Sequence, residues 1–329
     1  MTGAILALHD RIRASVLEAF ETQQRDHLAA VAHDEEGDTI YAVDRVSEAM
    51  LVERLAALAV NEPLVLVAEG FPREGLALPE GTHPDNCRWR VLVDPIDGTR
   101  GLMYQKRPGW ILTGVAPNKG TDTRLRDIVI AVQTEIPLIK QHLCDQLCAV
   151  RGDVVLAQRV DRLTGASGPI PMRPSQAPTL AHGFASVSRF FPGARDVLAA
   201  IDDEIMAEVL GPAVAGKAAC FEDQYLSTGG QLYELMAGHD RFIADIRPVL
   251  MPILTERGLP RPLACHPYDL SACLIATELG VRLTDASGNE LDAPFDLDAD
   301  VSWVGYANDR IRASVEPALL GALARRGLR

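Results

Sequence analysis

The sequence predicts an α/β fold in which helices cover a sheet on both faces, and three observations predict it. The chain opens with apolar residues at helical spacing, Ile5, Leu8, Ile12, Val16, Ala19, Phe20 and Val31, as in an amphipathic helix over residues 5–31. Two later runs, 64–68 and 90–93, are apolar without alternation, the pattern of strands buried on both sides. Both runs deliver acidic residues at their C-terminal ends, Glu69 after the first and Asp94 and Asp97 after the second. Ligand chemistry in such sheets gathers at that end of the strands.

In chain order, the opening helix stops at an acidic turn, His33 to Asp38, followed by a short apolar stretch over 40–43. Asp44 then reads as the N-cap of a second helix whose inner face carries Val46, Met50, Leu51, Leu55 and Leu58. The strand at 64–68 leads into a polar loop rich in Gly and Pro that reaches about Arg88. Apolar segments at 111–116, 128–132 and 154–156 read as further strands of the same sheet. The Pro- and Ser-containing stretch 165–178 marks a boundary between two halves. Beyond it, 184–187 reads as a strand, 194–210 as a helix and 231–236 as part of another.

A chain of 329 residues with 47% hydrophobic and 23% charged residues has ordinary globular composition, which excludes disordered and collagenous classes. The formal charge is −13, without a cluster of Lys and Arg. That balance argues against nucleic-acid polymers and anionic membranes as partners and in favour of divalent cations. No run approaches a membrane span, and His9, Asp10 and Arg11 stand where a signal peptide needs apolar residues, so the expected compartment is the cytoplasm. None of the six cysteines forms a C-x-x-C pair. Cys144 and Cys148, four apart, fit one helix face and read as small buried residues rather than zinc ligands.

The segment Asp94-Pro95-Ile96-Asp97-Gly98-Thr99 carries the chemistry. Pro95 stiffens the chain where a buried strand stops, and two carboxylates three residues apart can converge on one point. Gly98 permits a left-handed or close backbone, and Thr99 adds a hydroxyl beside N–H groups that can face an anion. Oxygen ligands of this kind suit Mg²⁺ with phosphate docked against it.

This string resembles the Asp-Pro-(Ile/Leu)-Asp-Gly-Thr signature of the inositol monophosphatase superfamily, which includes fructose-1,6-bisphosphatases and phosphoadenosine-phosphate phosphatases. Glu69, 25 residues upstream, matches the family's metal-ligating glutamate. Asp44 matches the aspartate at the start of its second helix, and Asp269, in Pro267-Tyr268-Asp269-Leu270-Ser271-Ala272, resembles the Trp-Asp-x-Ala-Ala segment. The match runs from Asp44 to the C-terminus.

The resemblance implies a layered α-β-α-β-α sandwich of the sugar-phosphatase type. Residues 1–175 would form a metal-binding, catalytic half, and 176–329 a substrate-capping half contributing Asp269. It implies a phosphoric monoester hydrolase that uses two or three Mg²⁺ ions. Glu69, Asp94, the Ile96 carbonyl, Asp97 and Asp269 are the implied ligands, and Glu69, Thr99 and Asp44 the catalytic residues. Gly98, Thr99 and Arg100 would hold phosphate; Ser188-Arg189 and Ser227-Thr228 would meet substrate, or else form a surface ion pair and a helix cap. The substrate would be a small phosphorylated polyol or sugar such as inositol monophosphate, with fructose bisphosphate and phosphoadenosine phosphate as alternatives. A non-catalytic phospholigand-binding relative is the alternative of another class. A homodimer and sensitivity to Li⁺ are implied as well. The departures surround the substrate: Gly70 replaces a second acidic residue, Tyr268 stands for tryptophan, and about 175 residues separate Asp94 from Asp269, leaving room for an insertion near 246–265.

Overall fold

The computed structural model describes residues 1–22, 31–35, 38–41 and 45–328. Among the described residues helix α1 spans Thr2–Thr22. Val31, assigned to its end, belongs to strand β1 (Val31–Glu35), which pairs antiparallel with β2 (Asp38–Tyr41). His33 to Glu35 and Asp38 of the expected acidic turn thus lie in paired strands, whose sequence carries no period-2 apolar signal. Asp44 lies outside the described residues, and helix α2 (Arg45–Ala59) follows it directly.

The main sheet contains β3 (Leu64–Ala68), β4 (Leu76–Leu78), β5 (Trp89–Asp97), β6 (Gly109–Pro117), β7 (Ile130–Ile136), β8 (Leu143–Val150), β9 (Leu156–Asp161) and β10 (Ser167–Pro169), in the order β10-β9-β8-β7-β6-β5-β3-β4. β3 and β5 run parallel; the other neighbours are antiparallel. Two strand boundaries move: 128–132 becomes β7, which starts two residues later, and 154–156 only touches the start of β9. Cys144 and Cys148 sit on β8, not on a helix. Residues four apart share a face in a strand as well as in a helix, so that spacing could not decide between them.

A smaller sheet holds β11 (Phe184–Val187), β12 (Asp240–Asp245), β13 (Arg282–Thr284) and β14 (Trp303–Tyr306), ordered β11-β12-β14-β13. The remaining helices are α3 (Thr99–Met103), α4 (Arg195–Leu210), α5 (Thr228–Met236), α6 (Met251–Glu256), α7 (Cys273–Glu278) and α8 (Asp309–Ala324).

Three apolar clusters fix the layering. Leu64 and Leu66 of β3 join Ile5, Leu8 and Ile12 of α1, whereas Val65 and Val67 point the opposite way, towards Leu232 of α5 and Ile275 of α7. The smaller sheet divides likewise: Ile243 and Trp303 face α5 and α7, while Phe242 and Val304 pack on Ile201 of α4 and Ile311 of α8. The result is a five-layer α-β-α-β-α sandwich with helices on both faces of each sheet, as the continuous apolar runs require. No helix among the described residues is long and apolar enough to cross a membrane.

One polar contact anchors α1. His9 is fully buried, with its ring nitrogens 2.8 Å from Thr113 Oγ1 and 2.9 Å from Thr134 Oγ1. Burial, aided by the charge of Arg13, lowers its pKa to about 3. Between that value and about 6.5, where the unfolded chain takes up a proton that the folded chain refuses, stability falls as pH falls. This contribution is complete above pH 6.5. Moving from pH 7 to pH 5 should cost about 2 kcal/mol through His9 alone. Urea unfolding of the wild type and His9→Gln at both pH values should show that loss missing from the variant; equal losses would mean that His9 is charged in the fold.

Candidate metal and phosphate site

The hexapeptide forms a β-bulge. Asp94 pairs with Leu112 and Asp97 with Trp110, so β5 spends three residues where β6 spends two. In a regular strand Asp94 and Asp97 would point to opposite faces. The extra residue reverses the alternation and turns both carboxylates towards the inner helix layer, on the side of Leu92, Leu112 and Trp110. Pro95 fits because a bulge leaves a backbone N–H without a ladder partner to serve. The Asp94 carboxylate accepts the Ile96 N–H at 3.0 Å, and the Thr99 hydroxyl donates to the Ile96 carbonyl at 2.7 Å.

Two glycines allow the second half of the chain to close over this bulge. Gly98 has φ +82°, and a Cβ there would meet Ser227 Cβ at 2.9 Å. At Gly229 a Cβ would meet Leu112 at 2.7 Å and an Asp97 oxygen at 2.9 Å. The N-terminus of α5 thus reaches Asp97 directly: Ser227 Oγ donates at 2.7 Å and the Gly229 N–H at 2.5 Å. Ser227 is also the N-cap of α5, accepting the Gly230 N–H at 2.8 Å, which is the helix-cap reading of this residue. Thr228 lines the same cavity.

Asp269 comes from a single helical turn, Pro267–Leu270, ahead of α7, and accepts the His266 N–H at 2.6 Å. Carboxylate oxygens of Asp94, Asp97 and Asp269 lie within 4.8 Å of one another. Glu69, just after β3, lines the same cavity and accepts the Tyr268 hydroxyl at 2.6 Å.

The electrostatics follow from this crowding. Burial, then the charges of Asp97, Asp269 and Glu69, push the Asp94 carboxyl well above the ordinary range. Burial carries Asp97 up to about 6, against the pull of the Ser227 hydroxyl and the N–H groups of Gly229, Thr228 and Gly98. Buried like charges with hard oxygen donors suit a hard divalent cation, which would relieve the repulsion. Among the described residues this is the cluster that could hold a metal.

Gly98, Thr99 and Arg100 also border the cavity of about 120 Å³, together with Ile96. Ser188 and Arg189 do not. Ser188 is fully buried and accepts from Gln231 at 2.9 Å, and Arg189 forms ion pairs with Asp202 and Glu222. Sequence reasoning missed Phe190, Phe191 and Arg247, which line the same cavity. Arg247, nearly buried, holds Asp245 through two hydrogen bonds of 2.8 and 2.5 Å and lies 5.2 Å from the Phe190 ring and 5.1 Å from the Phe191 ring. Arg100 reaches over Phe191 at 5.9 Å. The segment near 246–265, expected as an insertion, thus supplies Arg247, Leu263 and Cys265 to the cavity. An acid and a base two residues apart, just past an apolar strand, were the available signal.

No family model matches the sequence, and neither does any curated protein. Solved structures do. Extragenic suppressor protein suhB from Bartonella henselae is 16% identical with a TM-score of 0.64, covering 96% of this chain and 97% of that one. Fructose-1,6-bisphosphatase from Leishmania major in its holo form is 13% identical with a TM-score of 0.68, over 98% and 93%. An IMPase from Thermotoga maritima is 16% identical with a TM-score of 0.60, over 97% and 96%. The chain has the fold of these proteins from end to end.

Proposed function

We propose that this protein is a Mg²⁺-dependent phosphomonoesterase of the inositol monophosphatase type. The observation that carries the reading is the convergence of Asp94, Asp97 and Asp269 within 4.8 Å, in a cavity that also holds Glu69 and Thr99. The fold shared with structures titled as IMPase and fructose-1,6-bisphosphatase supports it.

Asp94, Asp97, Asp269 and Glu69 would hold the cations, with the Ile96 carbonyl beside them. Bound there, Mg²⁺ supplies positive charge to the phosphoryl oxygens and acidifies a water. Thr99 gives its proton to the Ile96 carbonyl, so its oxygen is left as an acceptor that orients the attacking water. Tyr268 holds one oxygen of Glu69 and so fixes the direction in which the other acts on that water. The backbone at Gly98 and Thr99 cradles the phosphate. The leaving group then lies towards Phe190, Phe191 and Arg247.

The substrate is a small phosphorylated polyol or sugar, with inositol monophosphate first. The adjacent rings of Phe190 and Phe191, 6.1 Å apart and edge-on, favour a phosphorylated adenosine nucleotide as the second reading, since a base can stack there. Phosphate release from inositol monophosphate, fructose 1,6-bisphosphate and phosphoadenosine phosphate, with Mg²⁺ and with EDTA, tests both. At least one should be hydrolysed only with Mg²⁺. Binding of Mg²⁺ and substrate without release from any of them would favour a phospholigand-binding protein instead.

A further inference from the structure

On β7, Gln133 is fully buried between Leu112 of β6 and Leu147 of β8, its register neighbours on the same face. An apolar residue would suit that stripe. The side-chain amide donates to the Gly229 carbonyl at 2.7 Å, while its own Oε1 has no hydrogen-bond partner among the described residues. A buried acceptor left unmet destabilises the fold. The position therefore serves the N–H donor alone.

The Gly229 carbonyl and the Gly230 N–H belong to one peptide group. That N–H donates to Ser227 Oγ at 2.8 Å, and Ser227 donates its proton to Asp97 at 2.7 Å. We infer that Gln133 is a positioning residue for the carboxylate of Asp97, acting through the 229–230 peptide and the Ser227 hydroxyl. This rests on the reading of Asp97 as a cation ligand. Each donor in such a series polarises the next, so the Gln133 bond strengthens the donation that ends on Asp97. The series also fixes the sense of the Ser227 hydroxyl: with its lone pair committed to Gly230, its proton is aimed at the carboxylate. Hydrogen bonds behind a ligand hold its orientation, and their removal lowers metal affinity by 10- to 100-fold in general.

The test is Mg²⁺ calorimetry on metal-free wild type, Gln133→Met, Ser227→Ala and the double variant, with melting of each metal-free protein. Gln133→Met should weaken Mg²⁺ binding by about 10-fold or more. It should leave the metal-free melting temperature nearly unchanged, because the lost bond is offset by removal of the unmet Oε1. The double variant should bind no worse than the weaker single variant, since both act on one series. The Gly230 amide proton should move upfield in Gln133→Met as its bond to Ser227 weakens. Should that variant not fold, Gln133→Leu, which suits the stripe between Leu112 and Leu147 and offers no donor, carries the same expectation. Wild-type Mg²⁺ affinity in Gln133→Met, or additive losses in the double variant, would overturn the inference. Absence of Mg²⁺ binding by the wild type would instead overturn the metal-site reading.

Discussion

Asp94→Asn should abolish phosphate release and, with it, the stabilisation of the protein by Mg²⁺. Asp94 is repelled by Asp97, Asp269 and Glu69 in a buried setting. The amide removes a repelling charge and a metal ligand together. Without metal, the variant should be no less stable than the wild type. With Mg²⁺ at a hundredfold excess over Kd, the wild type should gain about 2.7 kcal/mol. At an unfolding entropy of about 0.7 kcal/mol/K for a chain of this length, that raises Tm by about 4 °C. Melting curves of both proteins in EDTA and in Mg²⁺ provide the check. An equal Mg²⁺ shift in Asp94→Asn would remove Asp94 from the ligand set.

Thr99→Ala should lower kcat by about 10²-fold with little change in KM, the range expected for a group that orients the reacting water. Thr99 lines the cavity and donates its proton to the Ile96 carbonyl, so the variant removes the oxygen that faces the reaction. Thr99→Ser keeps the hydroxyl and should restore most of the rate. Steady-state kinetics of the three proteins decide it: an unchanged kcat in Thr99→Ala would leave the hydroxyl without a part in the reaction.

The parts of the fold legible in the sequence are those set by local pattern. The runs at 64–68 and 90–93 announced β3 and the start of β5 because burial on both faces leaves no room for polar residues. The hexapeptide announced two carboxylates with a glycine and a hydroxyl, and the structure brings them together with Glu69 and Asp269. The bulge was not legible: pairing with β6 shows that three residues oppose two, and no local pattern reports pairing. β8 was missed because its polar residues Asp145 and Gln146 are buried by partners distant in sequence, Arg159 and Tyr233 for the first and Thr134 for the second. Arg189 looked available for phosphate because Asp202 and Glu222, which occupy it, lie 13 and 33 residues away.

The bulge between Asp94 and Asp97 also sets how this scaffold can change over evolutionary time. The length of the loop between β4 and β5 is graded in its effect, one residue more or less being absorbed at the surface. The count between the two aspartates is a binary digit. In a regular strand a step of two residues leaves both carboxylates on one face and a step of three sends one of them to the face packed against α1, so the present step of three needs its bulge. A change that straightened β5 while keeping that step would leave an intact sandwich whose cleft lacks one carboxylate. Removing one residue together with the bulge would instead keep both on the inner face, so a lineage could pass between a bulged and a regular strand without losing the pair.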